Sequence, residues 1–220
     1  MGTVVIFAGG DIPPREVLAD LPTPDLVVAA DGGHHSAQAL DVKVDVLVGD
    51  LDSVQGSLPD HVLIERHPTD KEATDLELAM ELVLRDWPER IVVVGGAGGR
   101  VDHEIATATM LCSSRWAGID EIDWMSGRGR AHVVRGRRRL HGDMGQVVSL
   151  IPFGGPAEEV RTTGLRWELD GETLEPGTTR GVSNILAAPV AEVSVGRGVV
   201  LVVFPSQPAR PEGIEGSSFS

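Results

Sequence analysis

Five short runs of Val, Ile and Leu alternate with stretches of helical spacing in the first hundred residues, and no other feature constrains the fold as much. The runs are Thr3–Phe7, Leu26–Ala30, Asp45–Val48, Val62–Glu65 and Ile91–Val94. Such nearly continuous apolar runs suit parallel strands covered on both faces. Helical spacing occupies Arg15–Leu21, His34–Leu40 and Asp75–Trp87. The last has Leu76, Met80, Val83 and Trp87 on one stripe, and Thr74 and Glu77 stand at capping-box spacing before it. Strand–helix alternation predicts an α/β domain with an open, mostly parallel sheet, here residues 1–138.

From Arg139 the pattern changes to short strand candidates separated by Gly, Pro or Asp: Gln146–Ile151, Glu158–Thr162, Arg166–Leu169, Ala191–Val195 and Val199–Phe204. No helix of useful length intervenes, so residues 139–206 read as an antiparallel β-sandwich. Gln207–Ser220 is rich in Pro, Gly and Ser, has little to bury, and is expected to be a disordered tail.

Charge narrows the partners. The chain has 19 basic and 33 acidic residues, a formal charge of −14, which repels nucleic acid and anionic membrane alike. Its longest strongly apolar run, Val199–Phe204, falls far short of the roughly 18 residues of a membrane span. The first residues lack the pattern of a secretory signal, and Cys112 has no second cysteine to pair with, so a cytoplasmic location is expected. A basic stretch, Arg128, Arg130, Arg135, Arg137, Arg138 and Arg139, has only Trp124 as a nearby aromatic. A solvated strand or inter-subunit ion pairs account for it better than nucleic acid. His34 and His35 are expected at a helix start, and Cys112 on a core face.

The polar residues fall at the strand–helix junctions. Asp31-Gly32-Gly33 follows the second run and Gly49-Asp50-Leu51-Asp52-Ser53 the third. Asp70-Lys71-Glu72-Ala73-Thr74-Asp75 follows the fourth, and Gly95-Gly96-Ala97-Gly98-Gly99-Arg100-Val101-Asp102-His103 the fifth. Each alone suits a tight turn or a capped helix. Four junctions on one sheet edge point further. Converging carboxylates need a cation, and hard oxygen ligands suit magnesium. Glycine-preceded helix N-termini offer N–H groups to phosphate. Arg100 and Lys71 (Lys43 is the only other lysine) can meet developing charge. No Gly-Lys pair exists for a Walker A loop, and Arg100 stands where a dinucleotide fingerprint from Gly95 needs its last glycine.

These motifs in this order resemble the thiamin pyrophosphokinase family. The resemblance continues through Gly164-Leu165-Arg166-Trp167-x-Leu169, Leu174 and Gly181-Val182-Ser183-Asn184. Leu51 replaces a commoner Phe, and Glu72 a commoner Asp. The resemblance implies transfer of diphosphate from ATP to the thiamin hydroxyl, giving thiamin diphosphate and AMP. It implies a homodimer with thiamin between the α/β domain of one subunit and the sandwich of the other. Carried across, Asp50, Asp52 and Asp75 hold magnesium and, with Lys71 and Arg100, form the catalytic set. Asp31, Gly32, Gly33, Thr74, Gly96, Gly98, Gly99, Asp102 and His103 line the nucleotide; Trp167, Ser183 and Asn184 meet thiamin. A lone Trp in a β domain suits a core, but a Trp face also attracts a thiazolium cation. The rival readings are a pyrophosphokinase acting on another acceptor, such as a hydroxymethyl pterin, and a non-catalytic ATP- and metal-sensing module.

Overall fold

The computed structural model describes residues 2–50, 61–127 and 129–205. Asp52 with Leu51 and Ser53, Arg128, and the tail from Gln207 lie outside the described residues. The first part contains β1 (Thr3–Phe7), β2 (Leu26–Ala30), β3 (Val46–Gly49), β4 (Leu63–Arg66), β5 (Arg90–Val94) and β6 (Glu121–Ser126). These pair in parallel in the spatial order β6-β5-β1-β2-β3-β4. The chain therefore lays β2 to β4 on one side of β1 and returns to place β5 on the other. The connections leaving β1 and β5 run on to strands on opposite sides at this reversal, the place where open α/β sheets bind ligands.

Three helices cover the sheet: α1 (Gly33–Ala39), α2 (Asp75–Leu84) and α3 (Val101–Leu111). Phe7, Val27, Leu47, Val92 and Val94 pack with Ala37 and Leu40 on one face. Ile6, Val28, Val48, Ile91 and Val93 pack on the other with Met80 and Val83 of α2 and Leu111 of α3. Burial on both faces is why these strands lack polar alternation. β4 departs from that expectation: it is the outermost strand, and Leu63 and Ile64 are exposed. Apolar content alone does not tell an edge strand from a central one.

Thr74 caps α2, its Oγ1 accepting from Glu77 N at 3.2 Å. Helix α2 stops short of Trp87, which is exposed with φ of +45° and leaves the expected stripe. Pro88 follows it, and the residue before proline is excluded from continuing a helix by the ring. Arg15–Asp20 forms a 3-10 turn rather than an α-helix.

The second part adds β7 (Gly129–Val134), β8 (Arg137–His141), β9 (Val147–Pro152), β10 (Ala157–Thr163), β11 (Asp170–Leu174), β12 (Asn184–Ile185), β13 (Val190–Ser194) and β14 (Val200–Pro205). Antiparallel pairing of β7 on β6, β14 on β7, β9 on β14 and β12 on β9 extends the first sheet to ten strands. A four-stranded sheet, β11-β10-β13-β8, lies over that extension. Leu140, Val160, Leu174 and Val193 from it share a core with Val134, Leu150, Val202 and Phe204. This is the antiparallel sandwich.

Two expectations are corrected here. Arg166–Leu169 is a tight loop; the strand is Asp170–Leu174, and Thr162 closes the loop by accepting from Leu169 N through Oγ1 at 2.8 Å. The basic stretch is not simply solvated. Arg137 and Arg139 are exposed, but Arg138 between them is 8% exposed, because successive strand residues face opposite sides.

Candidate active site

The C-terminal ends of β2 and β3 are tied by Asp31 N donating to Val48 O at 2.8 Å. Asp31 has φ of +41°, a conformation Asp tolerates, and its chain turns there into α1. Gly33 lets that helix start hard against β1: a Cβ on it would fall 2.0 Å from Phe7 O.

Gly49 marks where the acids meet. A Cβ built on it would lie 3.1 Å from Asp75 Oδ1 and 3.2 Å from Asp31 Cβ. Asp50 follows Gly49 in the chain, so Asp31 and Asp75 flank the glycine that precedes it. No group of three His, Cys, Asp or Glu side chains close enough to share a metal ion occurs among the described residues, and Asp52 lies outside them. Lys71 Nζ lies 2.8 Å from Asp75 Oδ1, both side chains being largely buried. That oxygen is buried and accepts no aligned hydrogen bond, so the contact is a bare ion pair.

The loops after β1 and β5 interlock. Gly96 N donates to Gly9 O at 2.8 Å, and Asp11 N to Ala97 O at 2.9 Å. Trp124 Nε1 holds Gly95 O at 2.7 Å, and Gly98 N donates to Glu104 Oε1 at 2.7 Å. Gly95 has φ of +90°, and a Cβ there would fall 2.5 Å from Ala8 O, so only glycine fits. Several N–H groups of the glycine tract are thus spent on its own shape. Helix α3 then opens at Arg100 with no side-chain cap, unlike α2, which leaves its first turn suited to an anion.

Arg100 and Asp102 pair with each other at 2.5 Å on that first turn, and both are exposed. The hydrogen bond to Asp102 raises the Arg100 pKa, and its counterpart holds Asp102 below the usual carboxylate range. His103 is exposed beside them. Gly9, Gly10 and Asp11 had not been singled out, although they repeat the glycine-and-acid pattern after the first apolar run. His34 is held below its ordinary pKa by burial and then by His35.

Trp167, Ser183 and Asn184 gather separately in the second part. Asn184 is 3% exposed and its amide faces the main chain: Oδ1 accepts from Trp167 N (3.1 Å) and Ile185 N (2.8 Å). Its Nδ2 donates to Trp167 O at 2.7 Å. The Trp167 ring remains 47% exposed, with the Arg166 guanidinium 4.9 Å from its centroid. Ser183 is exposed, with φ of +59°, and its N–H donates to Ser149 Oγ at 3.0 Å. Among the described residues, no helix is long and apolar enough to cross a membrane.

Comparison with known proteins matches two family models to successive parts of the chain. Residues 21–120 match the model of the thiamin pyrophosphokinase catalytic domain, and residues 131–200 that of the thiamin pyrophosphokinase vitamin B1 binding domain. Thiamine pyrophosphokinase 1 of Oryza sativa subsp. japonica is 28% identical over 172 residues, covering 69% of this chain and 62% of the rice protein. Thiamine pyrophosphokinase of Bacillus subtilis is 24% identical over 214 residues, 92% of this chain and 98% of that one. The crystal structure of the Bacillus subtilis enzyme superposes with a TM-score of 0.81 at 22% identity, covering 94% of this chain and 100% of that one. The Geobacillus thermodenitrificans structure gives 0.77 at 22% identity, covering 94% and 99%. With both domain models matched in order and the same architecture throughout, the chain belongs to the thiamin pyrophosphokinase family.

Proposed function

We propose that the chain transfers diphosphate from ATP to the hydroxyl of thiamin, releasing AMP. The observation that supports this reading is the placement of Asp31 and Asp75 against Gly49, next to Asp50 in the chain, with Lys71 on Asp75 and the uncapped start of α3 on the same sheet edge. Attack of the thiamin oxygen on the β-phosphorus breaks the bond to the α-phosphate oxygen, and the hydroxyl proton passes to a nearby carboxylate. Little covalent work falls to the protein, so positioning and charge supply the acceleration.

The donor set fits a magnesium ion. Asp75 Oδ1 is a buried, hard oxygen with the Lys71 ammonium against it, and it faces Gly49, which precedes Asp50 in the chain. Asp50 and Asp75, with Asp52, would hold the ion, which supplies neutralisation of phosphate charge when bound. Lys71 holds Asp75 in place and offers a second cation to the phosphates. The first turn of α3 receives phosphate oxygens, and Arg100 can exchange Asp102 for them because both are exposed. Asp31, Gly32, Gly33, Thr74, Gly96, Gly98, Gly99 and His103 complete the nucleotide side.

On the thiamin side, Trp167 offers one ring face, since Arg166 lies against the other. Asn184 positions that ring through its main chain, and Ser183 borders it. The family resemblance supports a homodimer in which this patch faces the rim of the other subunit, and a cytoplasmic location. Incubation of the full chain with ATP and magnesium tests the reading. AMP formed only when thiamin is present supports it; ADP, or AMP formed equally with a hydroxymethyl pterin, defeats it.

A further inference from the structure

A groove of about 490 Å³ runs beside β8, the outermost strand of the four-stranded sheet, and over the junction of β5, β6 and β7. A second cavity of about 580 Å³ adjoins it, the two sharing Asp20, Met125 and Arg130. Neither is lined by the glycine loops after β1, β2 or β5.

The groove is basic in a chain whose net charge is −14. Asp123, fully buried and outside the lining, holds three of the lining residues. Arg90 spends Nε (3.0 Å) and Nη2 (2.6 Å) on Asp123 Oδ2, and His132 Nδ1 lies 2.6 Å from Oδ1. Arg138 brings only Nη2 to the acids, 2.7 Å from Asp123 Oδ1 and 3.0 Å from Glu121 Oε2. Its Nη1 is buried and has no acceptor among the described residues. Arg130 repeats the situation: Nη2 donates to His141 O at 2.5 Å, Nη1 stops 3.9 Å from exposed Asp20, and buried Nε has no acceptor.

Three guanidinium groups thus face three carboxylates, of which Asp20 is exposed and reaches Arg130 only at 3.9 Å, and two buried guanidinium N–H groups, Arg130 Nε and Arg138 Nη1, lack acceptors among the described residues. Arg137 and Arg139 share Glu192, at 2.9 and 3.6 Å, which leaves one further positive charge on this side of the groove. A buried charged donor without an acceptor is costly. Guanidinium forks are matched by the oxygens of phosphate and carboxylate groups. We propose that this groove binds a small oxyanion through Arg130 and Arg138, at a second site separate from the acidic rim.

The test is titration of the intact protein with inorganic phosphate, and separately with acetate, by calorimetry at constant ionic strength. Titrations are run with and without a non-hydrolysable ATP analogue and magnesium. The expected result is saturable binding of one anion per chain that persists with the analogue. Arg130→Gln should weaken it tenfold or more. Arg130 is the better variant, because it makes no contact with Asp123 and its loss leaves the buried cluster whole. Phosphate against acetate distinguishes a tetrahedral from a planar ligand. Binding of neither, binding abolished by the analogue, or an unchanged affinity in Arg130→Gln would overturn the proposal. Because the readout is binding, the outcome is independent of thiamin-dependent AMP release.

Discussion

One side-chain amide ties Asn184 to both main-chain groups of Trp167, accepting from its N–H at 3.1 Å and donating to its carbonyl at 2.7 Å. Residues 17 apart in the chain are thereby fixed to each other, and the half-exposed indole is held by its backbone rather than by packing. If Trp167 is the thiamin platform, Asn184 sets its height and tilt. Asn184→Ala should raise the KM for thiamin about tenfold with kcat at saturation nearly unchanged. The loss of a few hydrogen bonds, worth about 1 kcal/mol each, should also lower Tm. Asn184→Asp keeps both accepting bonds and should fall between. Trp167→Ala should raise KM without moving Tm, since so much of the ring is outside the core. Steady-state kinetics with melting curves separate these outcomes.

Lys71 and Asp75 make the second prediction. With Lys71→Met, Asp75 loses the ammonium paired with it, so the metal-free protein should melt lower. Magnesium should then stabilise the variant more than the native chain, by the ordinary linkage of ligand to fold. Turnover should fall about 100-fold, the scale for losing one preorganised cationic donor. Asp50→Asn should cost orders of magnitude in AMP release while far-UV circular dichroism stays native. A variant with near-normal turnover would remove that carboxylate from the rim.

How far such a site can be read from sequence depends on whether its partners are local. Thr74 capping Glu77 N is local and legible, and so is a junction such as Gly49-Asp50 after an apolar run. Strands β6 and β7 were not anticipated, because Glu121, Asp123, Arg130 and His132 break their apolar pattern. Those charges are tolerable only because Asp123 and His132 stand opposite each other in the β6–β7 register, with Arg138 arriving from a different sheet. The use of Asn184 is equally distant in sequence. Its residue type and motif suggested a ligand contact, whereas its hydrogen bonds serve the backbone of Trp167.

The third prediction concerns acid. Burial pushes the Asp123 carboxyl up, but the hydrogen bond and charge of His132, then Arg138 and Arg90, outweigh it and hold the pKa at about 2, against 3.8 in the unfolded chain. A folded-state pKa below the unfolded value adds stability above the unfolded value, lost as pH falls through the folded one. The loss should therefore develop between about pH 4 and pH 2, and amount to roughly 2–3 kcal/mol. Asp123→Asn removes that component and leaves Arg90 and Arg138 sharing Glu121 alone, at a cost of about 3 kcal/mol near neutrality. Urea denaturation across this range should show a less stable variant with a flatter acid limb. An acid limb as steep as that of the native chain would assign the loss to other carboxylates.

The fourth prediction is that Cys112 is inert while the chain is folded. Burial pushes its thiol up to about 12, and the nearby Arg135 charge only partly opposes this. Arg135 is itself committed, its Nη2 donating to Leu111 O at 3.0 Å and Ser113 O at 2.8 Å, so it cannot turn to stabilise a thiolate. Alkylation requires the thiolate and access to it, and neither exists on the core side of α3. Iodoacetamide near pH 8 should label the native protein very slowly and the urea-unfolded protein quickly. Because labelling must wait for opening of the core beneath α3, ATP with magnesium should slow it further if the nucleotide sits on that helix. Cys112→Ala should leave turnover unchanged. Rapid labelling of the native chain would mean that α3 detaches readily, and an N-terminus so loosely held could not position a phosphate.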